Sequence, residues 1–140
     1  MNPAAFLRQS KGGTDLYHLM LVCLGGAIGA GMRHLTVTAA GRALGTAFPW
    51  GTLAVNVAGS FAMGLLVEAL ARKFSVSNEI RLLLAPGMLG GFTTFSAFSL
   101  DVAVLWERGA QSAALAYVLA SVAGSILALF VGLWLARSIL

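Results

Sequence analysis

Charged residues divide the 140-residue chain into four long apolar stretches. No Asp, Glu, Lys or Arg interrupts Leu16 to Met32, Ala43 to Val67, Leu82 to Leu100 or Gly109 to Ala136. Each stretch is near or above the roughly 20 residues that a helix needs to cross about 30 Å of hydrocarbon. The pattern therefore predicts an all-α membrane protein with four transmembrane helices. The joins are short, running from Gly41 to Pro49, from Arg72 to Arg81 and from Trp106 to Gln111. None is long enough for a soluble catalytic domain. With no internal repeat or low-complexity tract, residues 16–140 read as one four-helix transmembrane domain. Residues 1–15, polar and weakly basic, read as a flexible N-terminal extension.

One stretch breaks the pattern from within. GGFTTFS, Gly90 to Ser96, lies inside the third apolar run. Paired glycines lower helix propensity by about 1 kcal/mol each, and adjacent threonines crowd a helix while offering hydroxyls to freed carbonyls. The third helix is expected to break there. A broken helix survives in a bilayer only where protein or a polar cavity satisfies its backbone, and unwound carbonyls are ready ligands for a cation. Beyond the break, Phe92, Phe95 and Phe98 recur every three residues, as do Ser96 and Ser99.

Small residues are patterned too. Ala116, Ala120, Gly124, Ala128 and Gly132 recur every four residues in the fourth helix, with Tyr117, Ser121 and Ser125 as a hydroxyl stripe beside them. The first helix offers Gly25, Gly26, Gly29 and Ala30, and the second offers Ser60 and Gly64 beyond Asn56. Lipid tails give helices no hydrophobic reason to associate, so close backbone contact must do so. This much small-residue surface is expected to bury itself against a second copy of the chain.

Composition agrees with the pattern, at 59% hydrophobic and 10% charged. The net charge of +4 does not point to nucleic acid, because the basic residues are scattered at helix ends without exposed aromatics among them. They act as topology signals. Arg8, Lys11, Arg72, Lys73, Arg81 and Arg137 fall on the N-terminal side, against Arg33, Arg42 and Arg108 on the other. That places both termini in the cytoplasm, although without Arg8 and Lys11 the bias nearly vanishes and the core could insert either way. A single cysteine, Cys23, excludes an intrachain disulfide. His18 and His34, near the ends of the first helix, have no nucleophile pattern around them, so the chain does not read as an enzyme. The acids Asp15, Glu68, Glu79, Asp101 and Glu107 all sit at or near run ends. That disfavours one alternative, a small dual-topology multidrug exporter of cationic compounds, which would want a mid-membrane carboxylate. A non-transporting assembly subunit is a third reading.

Taken together, GGFTTFSAFSLD (Gly90 to Asp101), GTLAVNVAGSF (Gly51 to Phe61), GGAIGAGMRH (Gly25 to His34) and the Tyr117, Ser121, Ser125 pattern resemble the bacterial fluoride channels of the Fluc (CrcB) family. The resemblance covers nearly all of the chain after the extension. It implies a homodimer, antiparallel and dual-topology, in the bacterial inner membrane, with fluoride pathways along the subunit interface. It also implies a structural central Na+, not transported, bound by the carbonyls of Gly90 and Thr93 of each copy. Carried over, Phe95 and Phe98 would be pore aromatics and Asn56 the amide facing the ion. Ser96, Ser99, Tyr117, Ser121 and Ser125 would belong to the polar pathway, and Arg33 would lie near a vestibule. Two positions depart from the family pattern: Asp101 stands where glutamate is usual, and Ala97 where a serine or threonine is usual. Fluoride is small and strongly hydrated, so a pore must offer replacement donors. Hydroxyls, amides and the positive edges of aromatic rings do so without trapping the ion as a buried lysine would.

Overall fold

In the computed structural model, residues 16–72 and 76–140 are described, and every regular element among them is helical. The expected extension over residues 1–15 lies outside this set. Helix α1 spans Leu16–Leu44 and α2 spans Trp50–Arg72. The third span is composite: α3 (Asn78–Leu82), a π-helical segment (Leu83–Leu89), α4 (Gly90–Phe92), two extended residues and α5 (Phe95–Glu107). Helix α6 covers Gln111–Ile139. Four spans long and apolar enough to cross a membrane result, as the charge pattern predicts.

The first span is longer than its charge-free run. α1 continues through Arg33 and His34 and stops only where Gly45 adopts φ 81°, closing on the Gly41 carbonyl at 3.1 Å. The second helix accordingly starts at Trp50, after Pro49, and the join shrinks to a few residues. Arg33 does not end the helix because its guanidinium finds a backbone acceptor inside the bundle, described below.

Two departures from helical geometry occur in the third span. The expected break is there, but the glycines are helical and the unwound residues are Thr93 (φ −82°, ψ 158°) and Thr94 (φ −154°, ψ 122°). Gly91 serves close packing instead: a Cβ on it would lie 2.5 Å from the Gly26 carbonyl oxygen of α1. The second departure is the π-helical segment around Pro86, whose ring has no N–H to give the preceding turn.

Glycine contacts set both main helix crossings. α1 meets the third span through Gly25 and Gly29, where added Cβ atoms would strike the Leu83 and Met88 carbonyl oxygens. α2 and α6 form the most extensive pair, crossing at Gly64 and Gly132. Part of the small-residue surface expected to face a second copy is thus consumed within the chain. Ala116 and Ala120 on α6 remain exposed. The small core cluster joins Phe98 and Leu105 of α5 to Ala114 and Tyr117 of α6, and most large apolar side chains point outward, as in a protein solvated by lipid.

Candidate functional site

The break in the third span is held open by side chains from other helices. A continuous helix would direct Thr94 N–H to the Gly90 carbonyl and Ala97 N–H to the Thr93 carbonyl. Here Thr94 N–H donates to Asn56 Oδ1 at 2.8 Å, and Ala97 N–H donates to Thr94 Oγ1 at 3.2 Å. The second contact makes Thr94 the N-cap of α5. Asn56 completes a two-point clasp, its Nδ2 donating to the Thr94 carbonyl at 3.0 Å. α2 reaches this close because Gly59 has no side chain: a Cβ there would lie 2.3 Å from Thr93 Cγ2. The Thr93 hydroxyl turns back to donate to the Leu89 carbonyl at 3.1 Å. Arg33 Nη1 donates to the Thr93 carbonyl at 3.3 Å.

Beside the break lies a groove of about 320 Å³, lined by Asn56, Ser60, Thr93, Thr94, Phe95, Phe98, Ser121, Val122, Ser125 and Ile126. Three spans contribute. The Oγ atoms of Ser121 and Ser125 are shielded yet have no hydrogen-bond partner among the described residues, an unusual condition for buried hydroxyls. Asn56 spends one Nδ2 hydrogen on Thr94 and keeps a second. Phe95 is 76% exposed in the single chain, whereas Phe98 is buried. Their rings stand 5.3 Å apart, and Phe98 in turn lies 5.3 Å from Tyr117. Phe48 continues the series with its edge on Tyr117 at 5.5 Å.

Of the residues singled out in sequence, Asn56, Thr93, Phe95, Phe98, Ser121 and Ser125 come together at this groove. Others lie elsewhere. Tyr117 is fully buried, its hydroxyl donating to Asp101 Oδ2 at 3.1 Å. Asp101 lines a second cavity of about 190 Å³ with Phe48 and Thr52. Ser99 bonds its own helix, donating to the Phe95 carbonyl at 2.9 Å, and Ser96 Oγ lies 3.2 Å from Thr94 Oγ1. Gly90 is exposed and Arg33 reaches the break itself. Sequence reasoning assigned no pathway role to Ser60, although it stands one helical turn beyond Asn56.

These features define a class: a multi-pass helical membrane protein whose broken third span and neutral, hydroxyl-lined groove suit the passage of a small ion. Residues 20–133 match the family described as CrcB-like protein, Camphor Resistance (CrcB). Among similar proteins, "Fluoride-specific ion channel FluC" of Chelativorans sp. is 99% identical over 125 residues, covering 89% of this chain and 100% of the relative. The proteins of the same name from Mesorhizobium japonicum and Agrobacterium fabrum are 61% and 52% identical over 124 residues, each covering 89% of this chain and 99% of its own length. The chain belongs to the CrcB family.

Proposed function

We propose that this chain is a fluoride-specific channel that lets the anion leave the cytoplasm passively and so limits its toxicity. Hydrogen fluoride enters from acid surroundings and ionises inside, and a membrane potential negative inside then drives the anion out. The carrying observation is the groove at the helix break, where two shielded hydroxyls without partners stand beside the rings of Phe95 and Phe98. A dehydrated anion would supply the missing acceptor, and neutral donors hold it weakly enough to let it go. The names of the relatives support the same reading.

The working unit in this proposal is an antiparallel, dual-topology homodimer. Exposed Phe95 gives the single chain unfilled surface at the groove for a second copy to cover. The structural sodium ion is part of the proposal as well. Its ligands would be the carbonyls of Gly90 and Thr93, both deprived of their helical donors by the contacts of Thr94 and Ala97. Uncharged oxygen donors suit a hard monovalent cation, and two copies would supply two carbonyls each. Bound there, the ion would offset the dipoles of converging carbonyls. Arg33 already donates to one of these oxygens, so it would share or yield that lone pair.

Proton-coupled export would want an unpaired carboxylate near mid-membrane. Glu68 is clasped by Arg72 and Arg137, and Asp101 accepts from Tyr117. The test is efflux from liposomes holding purified protein, followed with a fluoride electrode. Release without proton exchange is expected, and fluoride retention would overturn the proposal. Phe95→Ile keeps bulk but removes the ring edge; at this exposed position the fold should survive while flux falls at least about tenfold, the equivalent of 1.4 kcal/mol of lost stabilisation. Unchanged flux would mean that this ring does not meet the ion.

A further inference from the structure

A second polar cluster lies where α2 and α6 end together, away from the groove. Glu68 of α2 has its side chain only 1% exposed, while its two partners, Arg72 and Arg137, are 47% and 50% exposed. Arg72 Nε donates to Glu68 Oε1 at 2.5 Å, and Arg137 Nε lies 3.1 Å from Oε2. The carboxylate thus holds one guanidinium on each oxygen. It sits beneath them, so the surface shows two cations while their counter-charge is sealed inside. One carboxylate and two guanidiniums leave a local charge of +1. Each guanidinium has five N–H donors in a fixed fork, and no contact from the terminal nitrogens of either to another protein group occurs among the described residues.

An apolar stripe leads to this cluster along α6. Leu127, Phe130 and Trp134 are all exposed and follow helical spacing, and Arg137 stands next on the same face. At 1.5 Å per residue, Leu127 to Arg137 measures roughly 15 Å, about half of a hydrocarbon core some 30 Å thick. That is the depth of one leaflet.

We propose that Arg72 and Arg137, pre-set by Glu68, bind the phosphodiester of an anionic phospholipid of the phosphatidylglycerol class, with an acyl chain lying along Leu127, Phe130 and Trp134. A phosphodiester offers two non-bridging oxygens to two guanidinium forks, a charge-assisted geometry that arginine favours. Basic pockets between transmembrane helices take anionic headgroups for the same reason. A choline headgroup would bring a quaternary ammonium against the two cations. The stripe selects lipid over free phosphate, since a soluble anion has no use for it.

Tryptophan placement supplies the test. Of the three tryptophans, Trp50 opens α2 and Trp106 lies near the end of α5, both at the opposite end of the bundle from Trp134. In the full chain carrying Trp50→Phe and Trp106→Phe, fluorescence reports Trp134 alone. Reconstituted into phosphatidylcholine with a small fraction of bromine-labelled phosphatidylglycerol, Trp134 should be quenched several-fold more than by the same fraction of labelled phosphatidylcholine. Adding Glu68→Gln, Arg72→Gln and Arg137→Gln together should abolish the difference; the triple change avoids stranding a lone buried charge. Equal quenching by the two lipids in the parent overturns the proposal with no variant needed. Relief of the quenching by millimolar inorganic phosphate overturns the lipid assignment in favour of a free-anion site.

Discussion

Asn56 offers the sharpest test of how the break is maintained. Replacing it by alanine removes the bond to the Thr94 carbonyl at 3.0 Å and the bond from Thr94 N–H at 2.8 Å. Thr94 is buried, so both backbone groups lose their partners in a segment where no helix can take them back. An unsatisfied buried group costs about 1 to 3 kcal/mol. Because Asn56 and Thr94 also line the groove, entering water can recover part of this. The expected loss is therefore about 2 to 4 kcal/mol for the pair, or roughly 30-fold to nearly 1000-fold in the folding equilibrium. The Thr94 cap on α5 does not involve Asn56 and should survive.

Reversible unfolding in mixed micelles measures the loss directly. Ser60→Ala is the control, since Ser60 lines the same groove one turn away without bonding to the break; it should stay within about 0.5 kcal/mol of the parent. Asn56→Asp sharpens the test, keeping the acceptor for Thr94 N–H but turning an oxygen toward the Thr94 carbonyl. It should be no more stable than the alanine variant, and its negative charge should suppress fluoride flux further. An Asn56→Ala protein as stable as Ser60→Ala would refute the argument that this amide satisfies the break.

Three other outcomes are expected. Gly64→Ala would put a Cβ 2.2 Å from the Leu129 carbonyl oxygen, forcing α2 and α6 apart; overpacking should cost about 1 to 3 kcal/mol, whereas Gly31→Ala, with open space around it, should be neutral or better in the same unfolding titration. Ser125→Ala removes a shielded hydroxyl without a partner, so thermal stability should hold or rise by up to about 1 kcal/mol while fluoride efflux falls; a loss of stability with normal efflux would show that the hydroxyl serves packing. Arg33→Gln takes a fixed cation off the Thr93 carbonyl, so a sodium-dependent thermal shift should saturate at several-fold lower sodium than in the parent. An unchanged midpoint would show that Arg33 does not compete for that oxygen.

The parts that could be read from sequence are those with local causes. Charge-free length fixed the number of spans, because hydrocarbon thickness is a constraint on each helix alone. The break was legible in GGFTTFS for the same reason, through propensity. Its detail was not: Gly90 and Gly91 stay helical because Gly91 is needed for contact with α1, and the unwound residues are those whose backbone Asn56 and Arg33 can reach. The end of α1 was legible to within a few residues, since the join was expected from Gly41 and the helix runs to Leu44, but the acceptor that Arg33 finds 60 residues away was not. The π-helical segment around Pro86 was not anticipated, because whether a proline kinks, ends or widens a helix depends on what packs beside it. Tyr117 shared a stripe with Ser121 and Ser125 but is buried against Phe98 and Phe48, and only the folded chain separates them.

The arrangement of charge connects these observations. Among the described residues, three charged side chains that turn into the protein are each answered by a neighbour. Arg33 donates to a carbonyl, Glu68 holds two arginines and Asp101 accepts from Tyr117. The groove wall itself is left to hydroxyls, one amide, aromatic rings and the aliphatic Val122 and Ile126. A fixed cation in that wall would bind fluoride tightly and stall it, while a fixed anion would exclude it. Clasping the charges elsewhere leaves only weak donors along the path. Conduction through this fold then depends on how completely those clasps hold: a substitution that frees Asp101 or Arg33 should alter flux even though neither residue lines the groove.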